Sequence, residues 1–407
     1  MTKVLRSWVC GPLGPYAPGL AEELRRQGYA RSAVEQQVCF IAHLDRWMRG
    51  AGVGLGDLSG SAIERYLAER RAAGYAQYRS VRALRPLLDY LAPLGVLPVP
   101  DPVRPGPVEE LLGRYRDYLL VERGLTAGTV RGYVDAVRPF VAGRLRGDVL
   151  DMAGVTAAEV TAFVLTGCPG RATGSAKLIV CALPSLLRWL HVTGTVPGSL
   201  SAAVPSVAGW RLSGLPKGLD PGQLRRLLAG CDRRTPTGRR DYAIMLVLAR
   251  LGLRAGEVAG LGLDDLDWRR GELVVRGKGS RVERLPLPAD VGAAVAAYLR
   301  RGRPVTADGR GVFVRVRAPH RALTSGGVTM VVFDAARRAG LGTVHAHRLR
   351  HTAATAMVQA GSPLAEVGQV LRHRSPLTTA IYAKVDRDAL TVLARPWPHA
   401  DAVGGLS

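Results

Sequence analysis

Five prolines fall between residues 98 and 107: Pro98, Pro100, Pro102, Pro105 and Pro107. Proline fixes its own φ, offers no N–H and pushes the residue before it out of the helical region. No helix or inner strand runs through such a stretch, so it reads as a stiff linker that cuts the chain. A second loop-like stretch, Ala202 to Lys217, carries Pro205, Ser206, Gly209, Ser213, Gly214 and Pro216 and cuts the chain again. A chain of 407 residues leaves room for several domains, and an apolar content of 47% is enough to give them cores.

The segments read mostly as helices. Residues 1–16, rich in Gly and Pro, read as an irregular arm. Val34, Val38, Ile41 and Leu44 recur at helical spacing, and so do Leu84, Leu87, Leu88 and Leu91. Beyond the linker the plan repeats, with an offset of 96 from Gly28 to Gly124, 97 from Leu58 to Val155 and 99 from Leu91 to Leu190. This suggests two copies of one helical unit, 17–100 and 107–200. The segment 215–395 is different. Tyr242 to Leu251 is apolar on nearly all sides and stops at Gly252, a buried helix with a glycine end. Residues 272–288 alternate about Gly277-Lys278-Gly279-Ser280, a hairpin with Lys278 at its tip. Ser362-Pro363 and Ser375-Pro376 read as helix starts, and Tyr382 as the end of the second of those helices. The expected fold is mainly α with a small β-hairpin or sheet, followed by a tail over 396–407.

The formal charge is +23, from 56 Lys+Arg against 33 Asp+Glu. Such an excess calls for a polyanion, most simply nucleic acid. The five cysteines, Cys10, Cys39, Cys168, Cys181 and Cys231, have no close pairing, which points to reduced thiols and neither a disulfide framework nor a zinc site. No signal peptide and no unbroken membrane-length apolar run is read, so the expectation is a cytoplasmic protein without a membrane span. Asp264-Asp265-Leu266-Asp267 reads as a solvated turn rather than a magnesium site, and no phosphate-binding glycine loop suggests use of a nucleotide. No cofactor or metal is expected.

His347-Arg348-Leu349-Arg350-His351-Thr352 opens an apolar helical run. Positions three apart share a helix face, so His347 and Arg350 set a proton-transfer group beside a fixed cation. Arg348 and His351 are read as pointing elsewhere, His351 as structural. Upstream lies Leu251-Gly252-Leu253-Arg254-Ala255-Gly256-Glu257, and downstream His373 and Tyr382. Taken singly, Arg254 reads as a surface arginine, Lys278 as a turn lysine and Tyr382 as a core tyrosine.

Taken together, Arg254, Lys278, His347, Arg350, His373 and Tyr382 resemble, in order and spacing, the catalytic set of the tyrosine recombinase (phage integrase) family. The resemblance covers 215–395 strongly and the N-terminal half loosely. Arg372 departs from it, standing where a glycine is common before the last histidine. Ala249-Arg250 depart too, where a threonine is frequent. The resemblance implies a multi-domain helical clamp on double-stranded DNA with 107–200 as its core-binding part. It implies Tyr382 as nucleophile, His347 as candidate base, Arg254, Arg350 and His373 on the phosphate oxygens, Lys278 as general acid and Glu257 as an orienting group. It further implies metal-independent breakage and rejoining through a 3′-phosphotyrosine and a Holliday junction, by a tetramer on two duplexes at specific sites. The segment Asp386 to Ala394 would then dock on a neighbouring subunit. Two other readings stay open: a type IB topoisomerase-like enzyme, and a DNA-binding protein with a silent catalytic domain.

Overall fold

The computed structural model describes residues 9–98, 105–206, 218–277, 282–373 and 375–385. Lys278 and the segment after Val385 lie outside these residues. By its contacts the chain divides into two compact units: Met1–Val99 with Leu212–Ser407, and Pro100–Arg211.

In the first unit the N-terminal segment forms α1 (Ala17–Arg26), α2 (Arg31–Gly50), α3 (Gly60–Ala72) and α4 (Val81–Leu91). Their apolar faces close on one core that includes Leu20, Leu44, Met48, Leu67, Leu84 and Leu91. Burying each such side chain contributes about 1.5–3 kcal/mol. The reading of 1–16 as an irregular arm is corrected for its second half. Val9 and Leu13 are buried in this core, and the backbone N–H groups of Gly11 and Leu13 donate to the buried Asp45 carboxylate at 2.7 and 2.9 Å. The backbone is irregular there, but it is clamped by a charge that needs donors. The same segment also meets the C-terminal part of its unit. At Gly28 (φ +84°) a Cβ would come within 2.4 Å of Thr306 Oγ1 and 2.6 Å of the His320 ring, so only glycine permits this approach.

The second unit consists of α5 (Pro107–Val121), α6 (Ala127–Ala142), the short antiparallel pair β1 (Leu145–Arg146) and β2 (Val149–Leu150), α7 (Ala157–Gly167) and α8 (Thr173–Val192). Thr156 and Glu159 close a reciprocal capping box at the start of α7. The sequence reading expects no membrane span. By length and composition α8 qualifies as one, with a mean hydropathy of 1.2, yet half of that window is buried inside the structure, where Leu183, Leu186 and Leu190 belong to the core of this unit.

The C-terminal segment builds the frame of a site. It contains α9 (Pro221–Ala229), α10 (Pro236–Leu251), α11 (Ala255–Ala259), β3 (Leu266–Asp267), β4 (Glu272–Arg276), β5 (Val282–Pro286), α12 (Ala289–Arg301), α13 (Ser325–Arg338), α14 (Ala346–Gln359), α15 (Leu364–Val370) and α16 (Pro376–Thr379). The strands form an antiparallel sheet in the order β3-β4-β5, with Leu273 opposite Leu285 and Val275 opposite Glu283. Helix α10 is buried from Ala243 to Ala249, as its uniformly apolar sequence requires. It ends at Gly252 in the left-handed region (φ +58°), where a Cβ would lie 2.5 Å from Leu371.

Two helix-end expectations shift. Ser362 does not cap α15. Its N–H donates to Met357 O and closes the end of α14 beyond Gly361 (φ +84°), which leaves Pro363 as the N-cap. The helix from Pro376 tightens into a 3-10 turn over Ala380–Val385, so Tyr382 sits on that turn and not on an α-helix.

Candidate active site

Three chain corners converge. The first is the left-handed turn at Gly252, which sends Arg254 out as the N-cap of α11. Glu257, at the third position of that helix, accepts from the Arg254 backbone N–H at 2.8 Å and from its Nη1 at 2.7 Å. The second is the start of α14, carrying His347, Arg350 and His351. The third is the turn from α15 into α16 and the 3-10 segment, carrying Arg372, His373 and Tyr382.

Arg350 ties the corners together. Its side chain is only 2% exposed. Nη1 donates to Gly252 O at 2.5 Å, and Nη2 donates to Leu371 O. Among the described residues it forms no ion pair. A buried cation satisfied by carbonyls alone is poised for an anion. Arg254 Nη2 meanwhile reaches Arg372 O at 3.2 Å. Arg254, Glu257, His347 and Arg350 line one cavity of about 580 Å³, together with Arg276 and Gly277 from the end of β4. Of the three arginines on this wall, the Arg254 and Arg350 guanidiniums match the fork geometry of a phosphate.

Tyr382 is 2% exposed, held in a small apolar cluster with Ala354, Val358, Val367 and Leu371. Its hydroxyl lies 2.7 Å from His351 Nδ1. On its other flank the His373 ring stacks in parallel, with centroids 6.4 Å apart. His373 Nδ1 is fixed by Thr379 Oγ1 at 2.7 Å. His347 meets His351 edge-on, with centroids 4.5 Å apart.

The electrostatics follow from burial beside fixed cations. Desolvation first, then the charges of Arg350 and Arg254, hold the His347 imidazole below its ordinary value. Burial, then His347 and Arg350, bring His351 down to about 4. Burial, then Arg350 and Arg254, bring His373 down to about 4. Burial pushes the Tyr382 phenol up, against a lowering pull from Arg350. Burial also raises the Glu257 carboxyl, but the Arg254 N–H, the Arg372 charge and the Arg254 side chain outweigh it and leave it below the carboxylate range. At neutral pH the site thus contains neutral imidazoles, a protonated phenol and an ionised Glu257 between arginines.

Of the residues singled out from sequence, Arg254, Glu257, His347, Arg350, His373 and Tyr382 come together here, while Lys278 lies outside the described residues. Two residues that meet here are not singled out by the sequence reading. His351 was read as facing away, yet positions four apart share a face as well as positions three apart, so it follows His347 on the helix. Arg372 was noted only as a departure from glycine. In the structure it keeps the left-handed backbone, φ +56°, and its guanidinium donates to Glu257 Oε2 at 2.8 Å.

Comparison with known proteins gives a consistent picture. The phage integrase family profile matches residues 217–388. A putative integrase/recombinase, y4rA, of Sinorhizobium fredii is 41% identical over 393 residues, covering 95% of each chain. Tyrosine recombinase XerD of Mycobacterium tuberculosis is 33% identical over 294 residues, covering 68% of this chain and 93% of its own. Among solved structures, XerH site-specific recombinase bound to palindromic difH substrate in a post-cleavage complex superposes with a TM-score of 0.56 at 18% identity, covering 81% of this chain and 93% of that one.

Proposed function

The chain belongs to the phage integrase family of tyrosine recombinases, and from that premise we propose that it breaks and rejoins DNA at specific sites through Tyr382. It is a site-specific recombinase whose partner is double-stranded DNA and which works as an oligomer. The finer reading is a tetramer on two duplexes, passing through a Holliday junction. A lambda integrase tetramer bound to a Holliday junction shares the fold, with a TM-score of 0.53.

Attack by the phenolic oxygen on a backbone phosphorus forms a 3′-phosphotyrosine and releases a 5′ hydroxyl. Arg254 and Arg350 take the non-bridging oxygens, where charge grows in the transition state. His373, neutral and fixed by Thr379, contributes its free ring nitrogen, and His347 faces the phosphate from the cavity wall. Glu257 orients Arg254. Lys278, one residue beyond the cavity-lining Gly277, protonates the leaving oxygen. Residues 107–200 act as the core-binding half of the clamp, and 17–100 as a further helical DNA-contacting part. The observation that carries the reading is the pairing of a buried, anion-poor Arg350 with a phenol among neutral imidazoles.

The test is to incubate the full chain with a random-sequence duplex library and recover DNA ends that stay joined to protein in denaturant. Recovery of one sequence joined through Tyr382, lost in Tyr382→Phe while DNA binding persists, is the expected result. An adduct from Tyr382→Phe overturns the nucleophile. No adduct from the native chain favours the silent DNA-binding alternative. Relaxation of a supercoiled plasmid lacking the recovered sequence favours the topoisomerase-like one.

A further inference from the structure

The Tyr382 phenol already has a hydrogen-bond partner, and it is not the histidine that the family pattern nominates. His351 Nδ1 lies 2.7 Å from the phenolic oxygen, with ring centroids 5.6 Å apart. His347 instead lines the cavity with Arg254 and Arg350, and its ring meets the His351 ring edge-on. The two histidines, one helical turn apart, therefore divide the site: one faces where a phosphate would lie, the other faces the attacking oxygen.

We propose that His351 is the catalytic base that takes the Tyr382 proton, with His347 left to the phosphate side. The inference rests on the recombinase reading above. In cleavage the Tyr382 O–H bond breaks and its proton passes to His351 Nδ1 while the phenolic oxygen bonds to phosphorus. The bond from phosphorus to the 5′ oxygen breaks, and that oxygen takes a proton from the general acid, Lys278 in the reading above. In rejoining, the 5′ hydroxyl attacks and gives its proton back to the general acid, the phosphotyrosine bond breaks, and the His351 imidazolium returns its proton to the phenolate. Nothing is oxidised or reduced.

The surroundings suit this role. Groups facing His351 are His347 and Arg350 on its own helix and Tyr382 on the 3-10 turn, the last backed by His373. Glu257 is engaged by Arg254 and Arg372 instead. With no carboxylate partner among the described residues, His351 stays neutral at physiological pH and can accept a proton. The phenol cannot ionise usefully unaided. Buried, its pKa stands above 10, so on the order of one molecule in a thousand or fewer carries phenolate at neutral pH.

The decisive experiment uses the full chain and a nicked duplex containing the sequence recovered above, with sulfur replacing the bridging 5′ oxygen. Sulfur leaves without an acid, so titration of Lys278 drops out of the pH profile. Single-turnover adduct formation is followed from about pH 6 to pH 9 for the native chain, His351→Gln and His347→Gln. The His351→Gln rate should be about 100-fold down near neutrality, the usual scale of general-base assistance. It should climb about tenfold per pH unit, because hydroxide must then ionise the phenol. The native rate and the slowed His347→Gln rate should stay flat. His351→Asn repeats the test if the glutamine variant does not fold. The proposal is overturned by a His351→Gln rate near native, by a deficit equal at every pH, as a packing defect gives, or by the slope appearing in His347→Gln instead. A native chain that forms no adduct sinks the recombinase reading and this one with it; a native adduct without the slope sinks only the assignment of His351.

Discussion

Arg372 and Glu257 form a hydrogen-bonded ion pair at 2.8 Å in which each side chain is only 5% exposed. The same carboxylate holds Arg254 at 2.7 Å through its other oxygen. Glu257 is therefore shared between two guanidiniums, and Arg372 Nε also lies 4.0 Å from Glu283. With Arg254 as its only partner, Glu257 would pair with it undivided. Arg372 thus offsets Glu257 and lets Glu257 orient Arg254 without neutralising it.

Arg372 obtains this position at a backbone cost. A non-glycine residue in the left-handed region is disfavoured by roughly 1–2 kcal/mol, and φ here is +56°. Arg372→Gly relieves that strain, whereas Arg372→Ala keeps it; both lose the ion pair. We expect Arg372→Gly to be more stable than Arg372→Ala by about 1 kcal/mol in denaturant unfolding, while both lose at least about tenfold in cleavage rate, on the scale of about 1.4 kcal/mol of lost electrostatic stabilisation. An alanine variant as stable as the glycine one, or a glycine variant with native cleavage, would refute this.

Stability should fall with acid in two stages. The folded-state values of His351 and His373 lie near 4, below the ordinary value of about 6.5. The unfolded chain therefore binds protons first, and each histidine costs up to about 1.4 kcal/mol per pH unit as pH falls from about 6.5 to 4. Glu257 is also depressed when folded, so its contribution is present above about pH 4.3 and is lost below that as it protonates. Chemical denaturation midpoints at successive pH values check the order. A His351→Gln, His373→Gln double variant should lose most of the upper stage, His347 keeping the rest, and retain the lower one; an unchanged upper stage would reject the assignment.

Arg350 should resist even conservative replacement. Its two nitrogens hold the carbonyls of Gly252 and Leu371, fixing the ends of α10 and α15 against α14. Lysine offers one nitrogen on a flexible stem and cannot span both. An unsatisfied buried carbonyl costs about 1–3 kcal/mol, so Arg350→Lys should lose about that much in thermal or denaturant stability, as well as cleavage. A variant of native stability would mean that the carbonyl clamp is energetically idle.

Much of this was legible because local sequence and tertiary structure agree. The apolar run Ala243–Leu251 could only be a buried helix, and the glycine after it could only be its left-handed end. The alternation about Gly277 read as a strand pair, and β4 and β5 form it; the register, Val275 opposite Glu283, comes from the structure alone. The paired spacing of His347 and Arg350 placed both on the cavity wall. What escaped depends on contacts distant in sequence. That His351 would meet Tyr382, 31 residues on, depends on how α15 and the 3-10 turn fold back. That Arg372 would mimic a glycine backbone depends on Glu257, 115 residues away. Asp45, which clamps residues 11–13, gives no local sign that it will be buried.

The final prediction concerns Lys278. Arg276 and Gly277 line the same cavity as Arg254, His347 and Arg350, and Lys278 is the next residue along the chain. A lysine that protonates a leaving alkoxide matters in proportion to how badly that group leaves. Lys278→Ala should therefore slow adduct formation on ordinary DNA by about 10²–10⁴-fold, the range of general-acid assistance. On a duplex with a bridging 5′ sulfur, whose thiolate needs no proton to depart, the variant should approach the native rate. Its DNA affinity should change little, because one cation among many contributes little to a polyelectrolyte contact. If the defect is equal on the oxygen and sulfur substrates, Lys278 acts on phosphate binding or on the loop and not on the leaving group, and the acid must be sought among the other cavity residues.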